Sequence, residues 1–139
     1  MNIQQNKTIV VRFNEEFIEQ GNETVFNEIV SENVVNHSAP HGMPNGKESM
    51  HLFLNSVLRK AFPDLKVEVL DQVGEGDLVA TRKIIRGTHL GELFGISPTN
   101  KTVEINVIDI IRIRDGQYIE HWGQSNFDTV LKQIAENRI

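Results

Sequence analysis

At Phe62-Pro63-Asp64 the hydrophobic pattern of this chain changes period, and that switch constrains the fold more than any other feature. Before it, apolar residues recur at helical spacing. Val10, Phe13 and Phe17 share one helical face, with Gly21 as its stop. Val25, Phe26, Ile29 and Val30 predict a short second helix. Met50, Phe53, Leu54, Val57, Leu58 and Ala61 form one apolar stripe, the clearest helix in the chain. Phe62 ends it, because the residue before a proline avoids helical angles. After the switch the period is two. Leu65, Val67 and Val69 alternate with polar residues, Gly74-Glu75-Gly76-Asp77 turns the chain, and Leu78 to His89 reads as a long β-branched strand. Val103 to Ile113 and Gln117 to Gln124 are two more strands, joined at Asp115-Gly116. Phe127 to Ile134 reads as a short final helix. Helices first and a mostly antiparallel sheet after them predict an α+β fold.

A chain of 139 residues predicts one domain, spanning 1–139. At that size a fold buries roughly 70% of the surface its unfolded chain exposes, enough for a core without disulfides. There is no cysteine, which excludes disulfides, iron–sulfur clusters and thiolate zinc sites and fits a reducing compartment. The opening Met-Asn-Ile-Gln-Gln-Asn-Lys has no signal-peptide apolar run, so a cytoplasmic location is expected. No stretch approaches the roughly 20 apolar residues of a membrane span. With a net charge of −5 and no block of Lys and Arg, nucleic acid is not an expected partner.

The Asp115-Gly116 hairpin permits two registers. A two-residue primed turn pairs Arg114 with Gln117, and sets Ile110 opposite His121 and Asp109 opposite Trp122. A type I turn with Gly116 in a left-handed bulge pairs Ile111 with Ile119 and Asp109 with His121. The bulge is preferred, because it matches isoleucine with isoleucine and sets an acid beside an imidazole. One face then carries Ile105, Val107, Asp109, Ile111, Ile119, His121 and Gly123. The other carries Ile108, Ile110, Tyr118, Glu120 and Trp122. Both are substantially apolar, so one is expected to pack on the helices and the other on a second protein surface. A homodimer through Ile108, Ile110 and Trp122 is the simplest form of that expectation.

The segments AFPDLKVEV, GDLVATRKIIRGTHLGELFGISPTNKTV, IDIIRIRDGQYIEHWG and NHSAPHG resemble the SnoaL-like polyketide cyclases. That group lies within the nuclear-transport-factor-two-like fold, which also holds the ketosteroid isomerases. The resemblance covers nearly the whole chain, and Gly87-Thr-His-x-Gly91 followed by Gly95-Ile-x-Pro-Thr99 is fairly specific to it. Asn100 stands where relatives commonly have glycine, and asparagine tolerates the left-handed angles of such a turn. The resemblance implies a cone: a curved antiparallel, cystatin-like sheet wraps around N-terminal helices and leaves a blind apolar pocket. It implies a dimer or larger assembly, and ring closure in a polyketide ester by an intramolecular aldol reaction without metal or organic cofactor. It also places the family's acid–base aspartate directly after the His-Trp pair, and a further aspartate three residues on. This chain has Gly123 and Asn126 at those positions, and neither moves a proton as a carboxylate does.

The remaining candidates are few. His121 with Asp109 is the expected catalytic pair, the imidazole acting as general base or acid and the carboxylate orienting it. The alternative is a structural hydrogen bond tying two strands. His37 matches a family histidine after the second helix, and is expected to line the pocket or to cap its loop. Phe13, Phe17 and Phe53 are expected in core and pocket wall together. Gly123 is expected to leave space in the pocket. Arg82, mid-strand among apolar neighbours, is expected to pair with a buried acid or to bind an anionic or carbonyl group of the ligand. His89 is expected to brace the glycine-rich loop and Asp64 to cap a turn. The spacing of His37, His41, His89 and His121 matches no common ligand motif, so no metal site is expected. Three function classes fit this set: acid–base chemistry on a small apolar carbonyl compound, binding of an apolar ligand without chemistry, and hydrolysis by an activated water. The last has only Asp109 as an evident carboxylate.

Overall fold

The computed structural model describes residues 2–40 and 42–136. His41 lies outside the described residues. Asn2 opens the first helix with a reciprocal capping box to Gln5, and the helix runs Ile3–Arg12 before widening into a π-helical stretch, Phe13–Glu19. A short helix, Glu23–Ile29, capped by Asn22, leads without a turn into strand β1, Val30–Asn36. The third helix repeats the first one's construction: Lys47–His51, a π-helical stretch Leu52–Leu58, and a last turn Arg59–Ala61. The Arg59 guanidinium donates to the carbonyls of Phe17, Ile18 and Glu19, clamping the third helix to the end of the first. The apolar stripe from Met50 to Ala61 is therefore one continuous helix, ended at Phe62 as the following proline requires.

Strands β2 (Lys66–Glu75), β3 (Leu78–Thr88), β4 (Thr102–Arg114) and β5 (Gln117–Ser125) follow, and a C-terminal helix, Phe127–Glu136, closes the chain. The five-stranded sheet has the order β1-β5-β4-β3-β2. Four strands form the expected antiparallel meander. The difference is β1, which adds to the open edge of β5 in parallel. Its sequence, Val-Ser-Glu-Asn-Val-Val-Asn, buries only Val30 and Val34, so it carries little strand periodicity of its own. The sheet is curved and unclosed, with bulges at Leu70 in β2 and Ile119 in β5. Helices cover its concave face around an aromatic core in which Phe17 meets Phe26 at 4.5 Å and Phe13 meets Tyr118 at 5.0 Å between ring centroids.

The Gly87-Thr-His-x-Gly91 motif is a packing device. Phe62 lies against Gly87, where a Cβ would come within 2.7 Å of the Phe62 Cβ. A Cβ on Gly91 would overlap the Lys60 carbonyl. That close approach lets Leu90 and Gly91 donate to the Ala61 carbonyl and satisfy the helix end. His89 is wholly buried and holds the loop shut through Thr99, whose backbone N–H lies 3.2 Å from its Nδ1. Asn100 takes the left-handed conformation at φ 61°. Asp64 accepts from the backbone N–H and hydroxyl of Thr88, both at 2.7 Å, tying the Phe-Pro-Asp turn to the end of β3.

The hairpin register corrects the expectation. Asp115 and Gly116 both have positive φ, 53° and 78°, and Arg114 pairs with Gln117: this is the two-residue primed turn. The extra residue enters the strand instead of the turn. Ile113 pairs with Tyr118 and Arg112 with Glu120, leaving Ile119 as the bulge. Asp109 therefore stands opposite Gly123 rather than His121, and Ile111 opposite His121 rather than Ile119. The bulge also turns Tyr118 inward, where it is buried, so its expected place on the outer face is wrong. Without the extra residue, Tyr118 and His121 would face opposite sides of the sheet.

Candidate functional site

Between the concave sheet and the helices lies a cavity of about 600 Å³. Phe13, Met50, Phe53, Leu54, Ile105 and Val107 make much of its apolar wall. Both π-helical stretches contribute, with Phe13 and Ile18 from the first and Phe53, Leu54 and Leu58 from the second. A π-helical stretch adds a residue per turn, a distortion often found where a helix borders a site.

One polar cluster interrupts that wall. It is assembled by strand alternation: Lys83 from β3, Asp109 from β4, and Tyr118, His121 and Gly123 from β5. Asp109 is 3% exposed and Lys83 4%. The Lys83 Nζ lies 3.2 Å from Asp109 Oδ2 and donates to Asn14 Oδ1 at 2.6 Å. Asn14 is fixed in that orientation because its Nδ2 donates to the Val10 carbonyl at 2.9 Å. His121 Nε2 faces the same Asp109 Oδ2 at 3.3 Å. Its Nδ1 lies 2.8 Å from Asn36 Oδ1, which also accepts from the Ser38 N–H at 3.0 Å. The Asn36 oxygen is thus identified as an acceptor and Nδ1 as the protonated nitrogen. Nε2 is the nitrogen that faces the Asp109 carboxylate. The second oxygen of Asp109, Oδ1, is buried with no partner among the described residues.

Burial pushes the Asp109 carboxyl up, but Lys83 and His121 together outweigh it and hold it below the usual carboxylate range. Burial, reinforced by the Asp109 charge, pushes the Tyr118 phenol far above its ordinary value, so it stays neutral. His121 and Asp109 are thus brought together as expected, but diagonally, across Gly123. A Cβ at Gly123 would lie 2.9 Å from His121 Cε1 and 3.2 Å from Nε2. The space expected there is occupied by the imidazole itself. Gly123→Ala is expected to push the ring off Asp109 and cost about 1–3 kcal/mol, the range for overpacking. Denaturant unfolding and the histidine NMR signals would check this, and an unchanged His121 environment would refute it.

Several other expected site residues lie elsewhere. Arg82 points to the convex face and pairs with Asp71 at 2.8 Å, an exposed acid and not a buried one. Strand phase decides this: Arg82 and Arg86 share the outer side, while Val79, Thr81, Lys83 and Ile85 are buried or face the cavity. His37 is also outside, stacked on Trp122 at 4.9 Å and bonded to Glu120 at 2.9 Å. Phe17 is core beneath the cavity, whereas Phe13, Phe53 and Gly123 do line it. Asn126 is structural, its Oδ1 accepting from the Asn106 N–H at 2.8 Å. The residues missed are Lys83, Asn14, Asn36 and Tyr118. For Lys83 a signal existed, since the phase set by Val79 and Ile85 turns it inward. Asn14 and Asn36 carried none. Among the described residues no group of three or more His, Asp or Glu is arranged to hold a metal, and no helix is long and apolar enough to cross a membrane.

Comparison with known proteins agrees with this fold. Nogalonic acid methyl ester cyclase of Streptomyces nogalater is 23% identical over 96 residues, covering 69% of this chain and 72% of that protein. The structure of wild-type IdmH, a proposed polyketide cyclase of Streptomyces antibioticus, superposes with a TM-score of 0.81 at 31% identity, covering 94% of this chain and 99% of that one. AclR of Streptomyces galilaeus, a proposed hydroxylase, superposes with a TM-score of 0.85 at 25% identity, covering 99% of this chain and 85% of that one. The family model for SnoaL-like polyketide cyclase matches residues 8–134, a span that includes both layers of the fold and every residue of the polar cluster, and the chain belongs to that family.

Proposed function

We propose that this chain binds an apolar, polyketide-like carbonyl compound in its cavity and moves a proton beside the carbonyl through His121, with no cofactor, as in an aldol ring closure. The observation that carries this is the His121–Asp109 pair set in the wall of an apolar cavity, with Asn36 holding Nδ1 and Nε2 turned to Asp109. With Nε2 unprotonated, His121 takes the proton from the carbon next to the carbonyl at that nitrogen. The carbon keeps the electron pair as an enolate. The new imidazolium is stabilised by Asp109 Oδ2. Attack of that carbon on a second carbonyl forms the ring bond, and the resulting alkoxide recovers the proton from Nε2. A cyclase and a proposed hydroxylase share the fold, so the relatives alone do not choose the chemistry.

The test is deuterium exchange at the α-carbon of a β-ketoester in heavy water, followed by NMR. Expected is saturable exchange dependent on the protein and blocked by an apolar competitor. Binding without exchange would instead mark a carrier of apolar ligands, a reading favoured by Gly123 in the family's acid position.

The convex face is proposed as a homodimer surface. Val73, Ala80, Ile110 and Trp122 are successive cross-strand neighbours there, and Val73 and Ile108 are 72% and 57% exposed. A standard interface would cover roughly 800 Å² per partner. Ile110→Asp is expected to convert dimer to monomer in sedimentation at micromolar concentration. A monomeric wild type overturns the proposal.

A further inference from the structure

A buried lysine is unusual in an apolar cavity, because an ammonium out of water needs compensation. Asp109, as an ion pair at 3.2 Å, and Asn14, through a hydrogen bond at 2.6 Å, compensate Lys83. Lys83 also lines the cavity, and among the described residues its one hydrogen bond goes to Asn14. The base proposed above, His121 Nε2, touches the same carboxylate oxygen as Lys83. A carbonyl compound with its α-carbon at His121 therefore has its oxygen within the reach of Lys83.

We propose that Lys83 is the oxyanion-binding group of this cavity, and that its ligands carry an enolisable or phenolic oxygen bound as the anion. This rests on the reading of the cavity as a ligand site and deepens it by naming the ligand class. Charge bookkeeping is consistent. Lys83 and Asp109 cancel at rest. When His121 takes a proton the cluster gains one positive charge, as the ligand gains one negative charge. The ionisable groups facing the cavity from the elements around it are Lys83, Asp109, Tyr118 and His121, with Asp128 of the C-terminal helix at the wall. Among them Lys83 is the one amine, and it is paired with Asp109. Tyr118, held neutral, does not compete for the proton.

The test is an optical titration with para-nitrophenol, which shows its ionisation by colour. At one pH unit below the probe's own pKa, roughly a tenth of the free phenol is ionised. Wild-type protein is expected to hold it as phenolate. Lys83→Met is expected to weaken that binding roughly 10- to 100-fold, the range for a hydrogen bond to a charged group. Lys83→Arg should keep the phenolate band. Should Lys83→Met fail to fold by circular dichroism, Lys83→Gln replaces it, and the wild-type spectrum already decides. A wild type without bound phenolate, whether the probe binds neutral or not at all, overturns the proposal. So does Lys83→Met binding phenolate as the wild type does. Phenolate binding without α-carbon exchange leaves this inference standing and removes the proton-transfer reading. Exchange without phenolate binding does the reverse.

Discussion

Asp109→Ala is expected to destabilise the protein by about 3–5 kcal/mol, because it strands a buried ammonium. Asp109 and Lys83 are both almost completely buried, and Asp109 also receives the His121 ring. Removing the carboxylate leaves Lys83 with Asn14 as its remaining partner. For a chain of this length the melting temperature should fall on the order of 10–20 °C. The double replacement Lys83→Met with Asp109→Leu should recover most of that loss, since removing both charges removes the desolvation cost as well. A double-mutant cycle by denaturant unfolding measures the coupling. Asp109→Ala within about 1 kcal/mol of wild type would mean that water reaches Lys83 and that the buried-pair account is wrong. Acid gives an independent check. The folded pKa of Asp109 lies below its unfolded value, so the pair contributes stability above the ordinary carboxylate range. That contribution is lost as pH falls through the folded value. From about pH 4 downward, the wild type should lose stability more steeply than the double variant.

What could be read from the sequence follows from how local each determinant is. The third helix was legible because its apolar stripe and its proline stop both lie within one segment. The existence of the antiparallel strands was legible for the same reason. Register was not. Asp115-Gly116 fits two turns, and the choice is settled by a bulge at Ile119 that serves Tyr118, a residue whose partner Phe13 is more than a hundred positions away. The expected pair, His121 with Asp109, survives the wrong register because both residues face the concave side in either case. Its geometry does not survive, since the ring crosses the bare backbone of Gly123. Lys83 and Arg82 are adjacent in an apolar strand, and only the phase set by Val79 and Ile85 separates the inward lysine from the outward arginine. His37 shows the limit of a family resemblance. The resemblance implies a pocket histidine at this position, and here the side chain stacks on Trp122 outside the cavity.

His121→Ala is expected to lower α-carbon exchange by about 10²–10⁴-fold, the usual contribution of a positioned general base. The expectation rests on geometry more than on residue type. Asn36 holds Nδ1, Gly123 gives the ring room, and Nε2 is left beside Asp109 at the cavity wall. The variant also loses hydrogen bonds to Asn36 and Asp109, so a stability loss of about 1–3 kcal/mol will accompany it. Rates must therefore be compared per folded molecule, below the unfolding transition. Asn36→Ala separates the two effects. It leaves the imidazole in place but frees Nδ1 from its fixed tautomer, so exchange should fall by less than in His121→Ala while binding of an apolar ligand is retained. If both variants melt earlier yet exchange as fast as wild type, His121 is a strand tie. The proton-transfer reading would then pass to the unpartnered Asp109 Oδ1 or fall altogether. Asp109→Asn decides between those two outcomes, because it keeps the shape of the group and removes its capacity to accept a proton. Exchange that survives in Asp109→Asn as well as in His121→Ala assigns the base to neither residue, and the proton-transfer reading of the pair falls.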